Sequence, residues 1–164
     1  MASPITQSQI FSSCSLLMAS LFAASASVQL NDPDWYFWFS LYSAASAVNL
    51  IQIIFPSKLG SQIAKMTLGL GIFLFFKVVT EDMQLGIAGF WSLDLSKRVV
   101  REKTGSGFVV ASMFLQLKKA LANSNYPRKR RDQRRYLDCG MALLVGVSFG
   151  LSFVFVFVNG GLKL

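Results

Sequence analysis

Apolar residues in this chain arrive in long runs, without the polar interruptions that a half-buried helix or strand of a soluble domain would show. The first run covers 10–30 and carries no charge. That matches the roughly twenty residues a helix needs to cross the hydrocarbon core of a bilayer. It is rich in small residues, among them Ser12, Ser15, Ala19, Ala23 and Ala26, which let helices approach closely in lipid. Ala24-Ser25-Ala26 resembles a signal-peptide cleavage site, but no basic segment precedes the run and its apolar part is long, so a first transmembrane helix is expected. The run breaks at Asn31-Asp32-Pro33-Asp34. Pro33 cannot continue the helix before it, yet it suits the first turn of a new one with Asp32 as its cap, which predicts a tight hairpin.

A second span over 35–55 opens with Trp35, Tyr36 and Trp38, aromatics that prefer the membrane interface, and ends at Pro56 and Gly60. A third covers 62–79, with Glu81 and Asp82 marking the water boundary and Lys77 snorkelling towards it. The 83–103 segment mixes Phe90 and Trp91 with Asp94, Lys97, Arg98, Arg101 and Glu102, an amphipathic composition that predicts a loop lying on the membrane surface. The fourth span, 105–122, is the weakest, because its short apolar run meets Lys118 and Lys119. A basic loop over 123–136 separates it from a fifth span over 137–158, where Gly146 and Gly150 stand in GxxxG spacing and are expected to pack against another helix of the bundle, with a dimer contact as the alternative. The expected fold is an all-α integral membrane protein, a single multi-pass domain over 1–164. It is a bundle of about five transmembrane helices, or four if the weak fourth segment does not span.

Composition narrows the function. Hydrophobic residues make up 53% of the chain and charged ones 15%, against roughly a quarter charged in soluble domains. The net charge of +8 is concentrated in Arg128, Lys129, Arg130, Arg131, Arg134 and Arg135, between apolar runs. That placement reads as a topology signal, with no nucleic acid expected as a partner. There is no histidine, which removes the commonest general base and metal ligand. Neither Cys14 nor Cys139 has a ligand-like spacing or a disulfide partner in a loop. No catalytic residues, cofactor or metal site are expected.

Each candidate site has a structural reading beside the functional one. Asn31, Asp32 and Asp34 offer oxygens to a hard cation such as Ca²⁺, with Glu102 or Asp94 as further ligands, but capping and turn formation need the same residues and are the expectation. Lys77 is expected to pair with Glu81 one turn on. Arg101 and Glu102 either brace the start of the fourth helix through an ion pair to another loop or form a solvated surface pair worth little, and the sequence does not choose between the two. The basic loop is expected to be cytoplasmic and to meet anionic lipid headgroups. Five spans then place ten of the sixteen basic residues and two of the eight acidic ones inside.

The leading functional reading is a non-enzymatic bundle that packs with membrane partners or anionic lipids. The alternative is a small carrier or channel for an ion or solute. A carrier should show polar groups in the middle of several spans, and here these are mostly serines, with Asn49 and Gln52 as the exceptions.

Three features together resemble the transmembrane protein 220 family. They are the Val28-Gln29-Leu30-Asn31-Asp32-Pro33-Asp34 run after a first span, the Trp/Tyr-rich start of the second, and Arg101-Glu102 followed by Gly105 before the fourth. The resemblance extends along nearly the whole chain. It implies a fold and a topology, and no particular reaction.

Overall fold

A computed structural model describes residues 4–31, 34–54, 58–85, 98–124 and 130–160. These form five helices: α1 (Pro4–Val28), α2 (Trp35–Ile54), α3 (Lys58–Leu85), α4 (Arg98–Ser124) and α5 (Arg130–Gly160), with a 3₁₀ turn at Gln29–Asn31. No strand occurs among the described residues. The uninterrupted apolar runs fold as helices because only a helix satisfies its own backbone where water is absent. Their serines follow the same rule. Ser20 donates to the Leu16 carbonyl and Ser25 to the Leu21 carbonyl, so neither hydroxyl is left unpaired in an apolar setting. At the start of α2 the Phe37 amide donates to the Asp34 carbonyl at 3.2 Å. Asp32 and Pro33, the expected cap and first-turn proline, lie outside the described residues.

Contacts at both ends fix the helix directions. Arg98 at the start of α4 meets Asp34 before α2, and Lys103 meets Asp82 near the end of α3. At the far end of α4, Lys119 sits over the ring of Phe11, close to the start of α1. α4 therefore traverses the depth of the bundle, parallel to α2 and antiparallel to α1 and α3. Ser148 of α5 reaches Met18 of α1, and a Cβ on Gly140 would touch Leu115 of α4, so α5 runs back antiparallel to α4. Trp38, Phe11, Phe22, Met18, Leu41 and Leu74 fill the core. Small residues bring the helices together there. A Cβ on Gly71 would lie 3.2 Å from Val110, and Ala45 and Ala64 are fully buried.

The exterior is apolar as well. Leu16, Met66, Phe73, Phe76, Leu143, Phe153 and Phe157 all point outward. Such a surface is a liability in water and the ordinary condition in lipid. Four helical segments are long and apolar enough to cross a membrane: Gln9–Val28, Trp35–Ile54, Lys58–Gln84 and Arg135–Val154. α4 is the exception. It has 27 residues, enough length, but it turns polar groups inward: Glu102, Lys103, Ser106, Ser112 and Gln116 are all buried. Its polarity is hidden in the bundle, and for that reason its sequence looked weak as a span.

Element boundaries differ from the expected ones in a consistent way: the helices run past the apolar segments. α3 continues through Glu81 and Asp82 to Leu85, α4 begins at Arg98 inside the stretch expected to be a surface loop, and α5 begins at Arg130 inside the basic loop. Charge does not break a helix whose hydrogen bonds are already propagating.

Candidate functional site

The charged residues at the Asp34 end hold three helices together. Asp34 is the hub. One of its oxygens accepts from Arg98 Nη2, while the other lies 3.7 Å from Lys77 Nζ and accepts from Trp38 Nε1 at 3.4 Å. Arg98 also pairs through Nε with Glu102, one turn along α4, at 2.6 Å. Beside this chain, Lys103 Nζ of α4 meets Asp82 of α3 at 3.0 Å, with both side chains buried. Two acids from α2 and α4 thus share one guanidinium, and a buried pair ties α3 to α4. Pairing of this kind is what polar groups near the hydrocarbon boundary require.

Asp34 and Glu102, both expected site residues, come together here through Arg98. Arg101 does not join them. The expected Lys77–Glu81 pair is replaced by Lys77–Asp34, because the start of α2 brings a carboxylate alongside α3. Asn31, Asp32 and Pro33 lie in the turn whose side chains are outside the described ones, so no cation-ligand set can be assembled from them.

Gly105 has a specific reason to be glycine. A Cβ there would stand 2.0 Å from Tyr42 Oη and 3.0 Å from its Cζ. Tyr42 is held in place by stacking on Phe22 and Trp38, so its hydroxyl occupies the space that any side chain at 105 would need. Beside this contact a groove of about 480 Å³ opens between α1, α4 and α5. Leu21, Val28, Phe108, Leu151 and Val156 give it apolar walls, and Arg101 lies on its lining.

A polar layer crosses the interior of the bundle, one turn in from the Lys119–Phe11 contact. Asn49 of α2 donates to Ser112 Oγ of α4 at 3.2 Å, and Gln116 Nε2 of α4 donates to Asn49 Oδ1 and to Ser15 Oγ of α1, each at 2.9 Å. All four side chains are fully buried. The layer ties α1, α2 and α4 to one another. Two further buried amide atoms, Gln52 Nε2 and Gln116 Oε1, have no hydrogen-bond partner among the described residues. Asn49 stands out in the sequence as a polar residue in an apolar run; its partners Ser15, Ser112 and Gln116 carry no such signal.

At the opposite end, Lys118 and Lys119 close α4 and lie over the rings of Phe114 and Phe11. Arg130, Arg131, Arg134 and Arg135 occupy the first turns of α5, while Arg128 and Lys129 lie outside the described residues. Gly146 and Gly150 do not pack as expected. Both are exposed, and a Cβ on either would meet nothing within 4 Å. Their four-residue spacing does put them on one face of α5, but that face turns away from the bundle.

No solved structure matches the chain. The family described as Transmembrane family 220, helix, matches residues 21–118, more than half of the chain. The match takes in the end of α1, the whole of α2, the Asp34 hub, Asn49 and the Gly105–Tyr42 contact. A helical membrane bundle with these elements, matched over that stretch, belongs to the transmembrane protein 220 family.

Proposed function

We propose that this protein is a non-enzymatic helix bundle that holds anionic lipid at its basic end, with that end facing the cytoplasm. One observation carries the reading: the two ends of the bundle handle charge differently. At the Asp34 end, Asp34, Asp82 and Glu102 are paired within the protein with Lys77, Arg98 and Lys103. At the other end, Lys118, Lys119 and four arginines collect where α4 stops and α5 starts.

Arginines in the first turns of α5 also stand at the positive end of its helix dipole, which disfavours each by roughly 0.3–1 kcal/mol. Phosphate or carboxylate headgroups at that level offset this cost. An anionic inner leaflet contributes about 1 kcal/mol per nearby Lys or Arg, enough to set orientation and to enrich such lipids around the protein. The ion pairs and the interlocked interior layer support a structural bundle over a carrier, whose polar groups would line a path.

The test is the lipid that accompanies the protein through extraction in mild detergent. Replacing Arg130, Arg131, Arg134 and Arg135 together with Gln should lower the co-purifying phosphatidylserine several-fold while leaving phosphatidylcholine unchanged. Raised salt should act in the same direction on the unmodified protein. An unchanged phosphatidylserine fraction in the variant would remove the lipid reading.

A further inference from the structure

We propose that the groove between α1, α4 and α5 holds one acyl chain of a glycerophospholipid whose phosphate rests on Arg101. Its volume of about 480 Å³ falls within the roughly 300–1,000 Å³ typical of sites for small ligands. Its walls behave as more apolar than their composition. Ser25 donates to the Leu21 carbonyl, Ser148 to the Val145 carbonyl and to Met18 Sδ, and Ser152 to the Ser148 carbonyl. With these hydroxyls turned onto their own helices, Leu21, Phe108, Leu151 and Val156 present a surface for hydrocarbon. The other polar side chains on the lining, Gln29, Tyr42 and Thr104, come from the same end of the helices as Arg101.

Arg101 supplies the other half of the site. Its neighbours on α4 are paired, Arg98 with Asp34 and Glu102, and Lys103 with Asp82. No carboxylate among the described residues pairs with Arg101, which is exposed and lines the groove one turn into α4. A guanidinium at the mouth of an apolar groove, at the level where aromatic-rich α2 begins, meets a phosphate in two-pronged geometry while the chain below fills the cleft. The groove is open at the side, since Val156 of α5 and Val28 of α1, both on its lining, are exposed. A membrane lipid can therefore enter laterally.

This site lies at the opposite end of the bundle from the arginines of α5, so the two lipid contacts fail independently. The probe is phosphatidylcholine, whose zwitterionic headgroup gives the basic end no net charge to attract. It is added to delipidated full-length protein and counted by native mass spectrometry. We expect one retained lipid on the unmodified protein and on the variant with four glutamines at Arg130, Arg131, Arg134 and Arg135. Arg101→Gln, and separately Ala24→Trp to fill the groove, should weaken retention by roughly tenfold or more, the scale of one charge-assisted contact or one excluded chain. Arg101→Lys, which keeps the charge and loses the two-pronged contact, should bind between the unmodified protein and Arg101→Gln, which separates loss of the phosphate contact from loss of fold. Glycerol phosphate, which has the headgroup chemistry and no chain, should not be retained. Retention unchanged in both Arg101→Gln and Ala24→Trp would overturn the proposal. So would retention of glycerol phosphate, or a dimer mass that disappears in Ala24→Trp, which would make the occupant of the groove a second copy of this chain.

Discussion

Gly105 and Tyr42 show how closely two helices depend on single atoms. The Tyr42 hydroxyl lies 2.0 Å from where a Cβ of residue 105 would be, and the ring cannot swing aside because Phe22 and Trp38 stack against it. Gly105→Ala should therefore destabilise the bundle by about 1–3 kcal/mol, the usual penalty for overpacking, read as a lower thermal midpoint in detergent. Tyr42→Phe in the same chain removes the closest atom and should recover most of the loss; no recovery would mean that the backbone of α4, and not the hydroxyl, is the obstacle. The converse case is Gly150. With nothing within 4 Å of its Cβ position, Gly150→Leu should leave the thermal midpoint of the monomer where it is. A clear drop would place a partner on that face. Both glycines are visible in the sequence, but spacing reports only which residues share a helix face. What stands opposite is decided by another helix, and the sequence read Gly150 as an inward contact for that reason.

At the level of elements, α4 is defined by what it pairs with. Its Lys103 meets Asp82 of α3 in a buried contact, and removing one partner of such a pair typically costs about 3–5 kcal/mol, whereas removing both is often nearly neutral. Asp82→Asn should therefore lower stability strongly, and Asp82→Leu combined with Lys103→Leu should come close to the unmodified protein. If the double replacement were as damaging as the single one, the pair would have a role beyond its own charges. Lys77 offers the contrast: half exposed and 3.7 Å from Asp34, it forms the kind of pair worth roughly 0–1 kcal/mol, so Lys77→Ala should barely move the melting curve. In the interior polar layer, Gln116→Leu removes hydrogen bonds to Ser15 and Asn49 and should cost about 0.6–1.7 kcal/mol, the range of interhelical bonds in membrane bundles.

These pairings also mark where the sequence stops being informative. The apolar runs of α1, α2, α3 and α5 are local, and they were legible as helices. The Arg98–Glu102 spacing is local too, and it was there to be read. The Asp34–Arg98 contact joins residues 64 positions apart and the Lys103–Asp82 contact residues 21 apart, so neither has a signature before the helices are docked. The weakness of α4 as an apolar segment was visible, while its cause, polar side chains turned towards α1, α2 and α3, was not.

For the whole molecule, the relative directions of the five helices follow from contacts at both ends of α4 and α5, and the orientation we propose adds the charges to them. With α4 counted as a crossing, α1, α3 and α5 run one way and α2 and α4 the other. In the proposed orientation the Asp34 end, with its network of ion pairs, faces away from the cytoplasm, and the basic end at the α4–α5 junction faces it. That arrangement sets the lipid reading of the basic end and the lateral groove near Arg101 in opposite leaflets. The direct measurement uses Gln133→Cys, or Ser124→Cys, in a chain with Cys14 and the exposed Cys139 replaced by Ser. A membrane-impermeant thiol reagent is applied to intact cells and then to cells whose surface membrane alone has been opened. The orientation predicts no labelling in intact cells and labelling as soon as the surface membrane is opened. Labelling in intact cells, or protection that persists until internal membranes are dissolved, would contradict it.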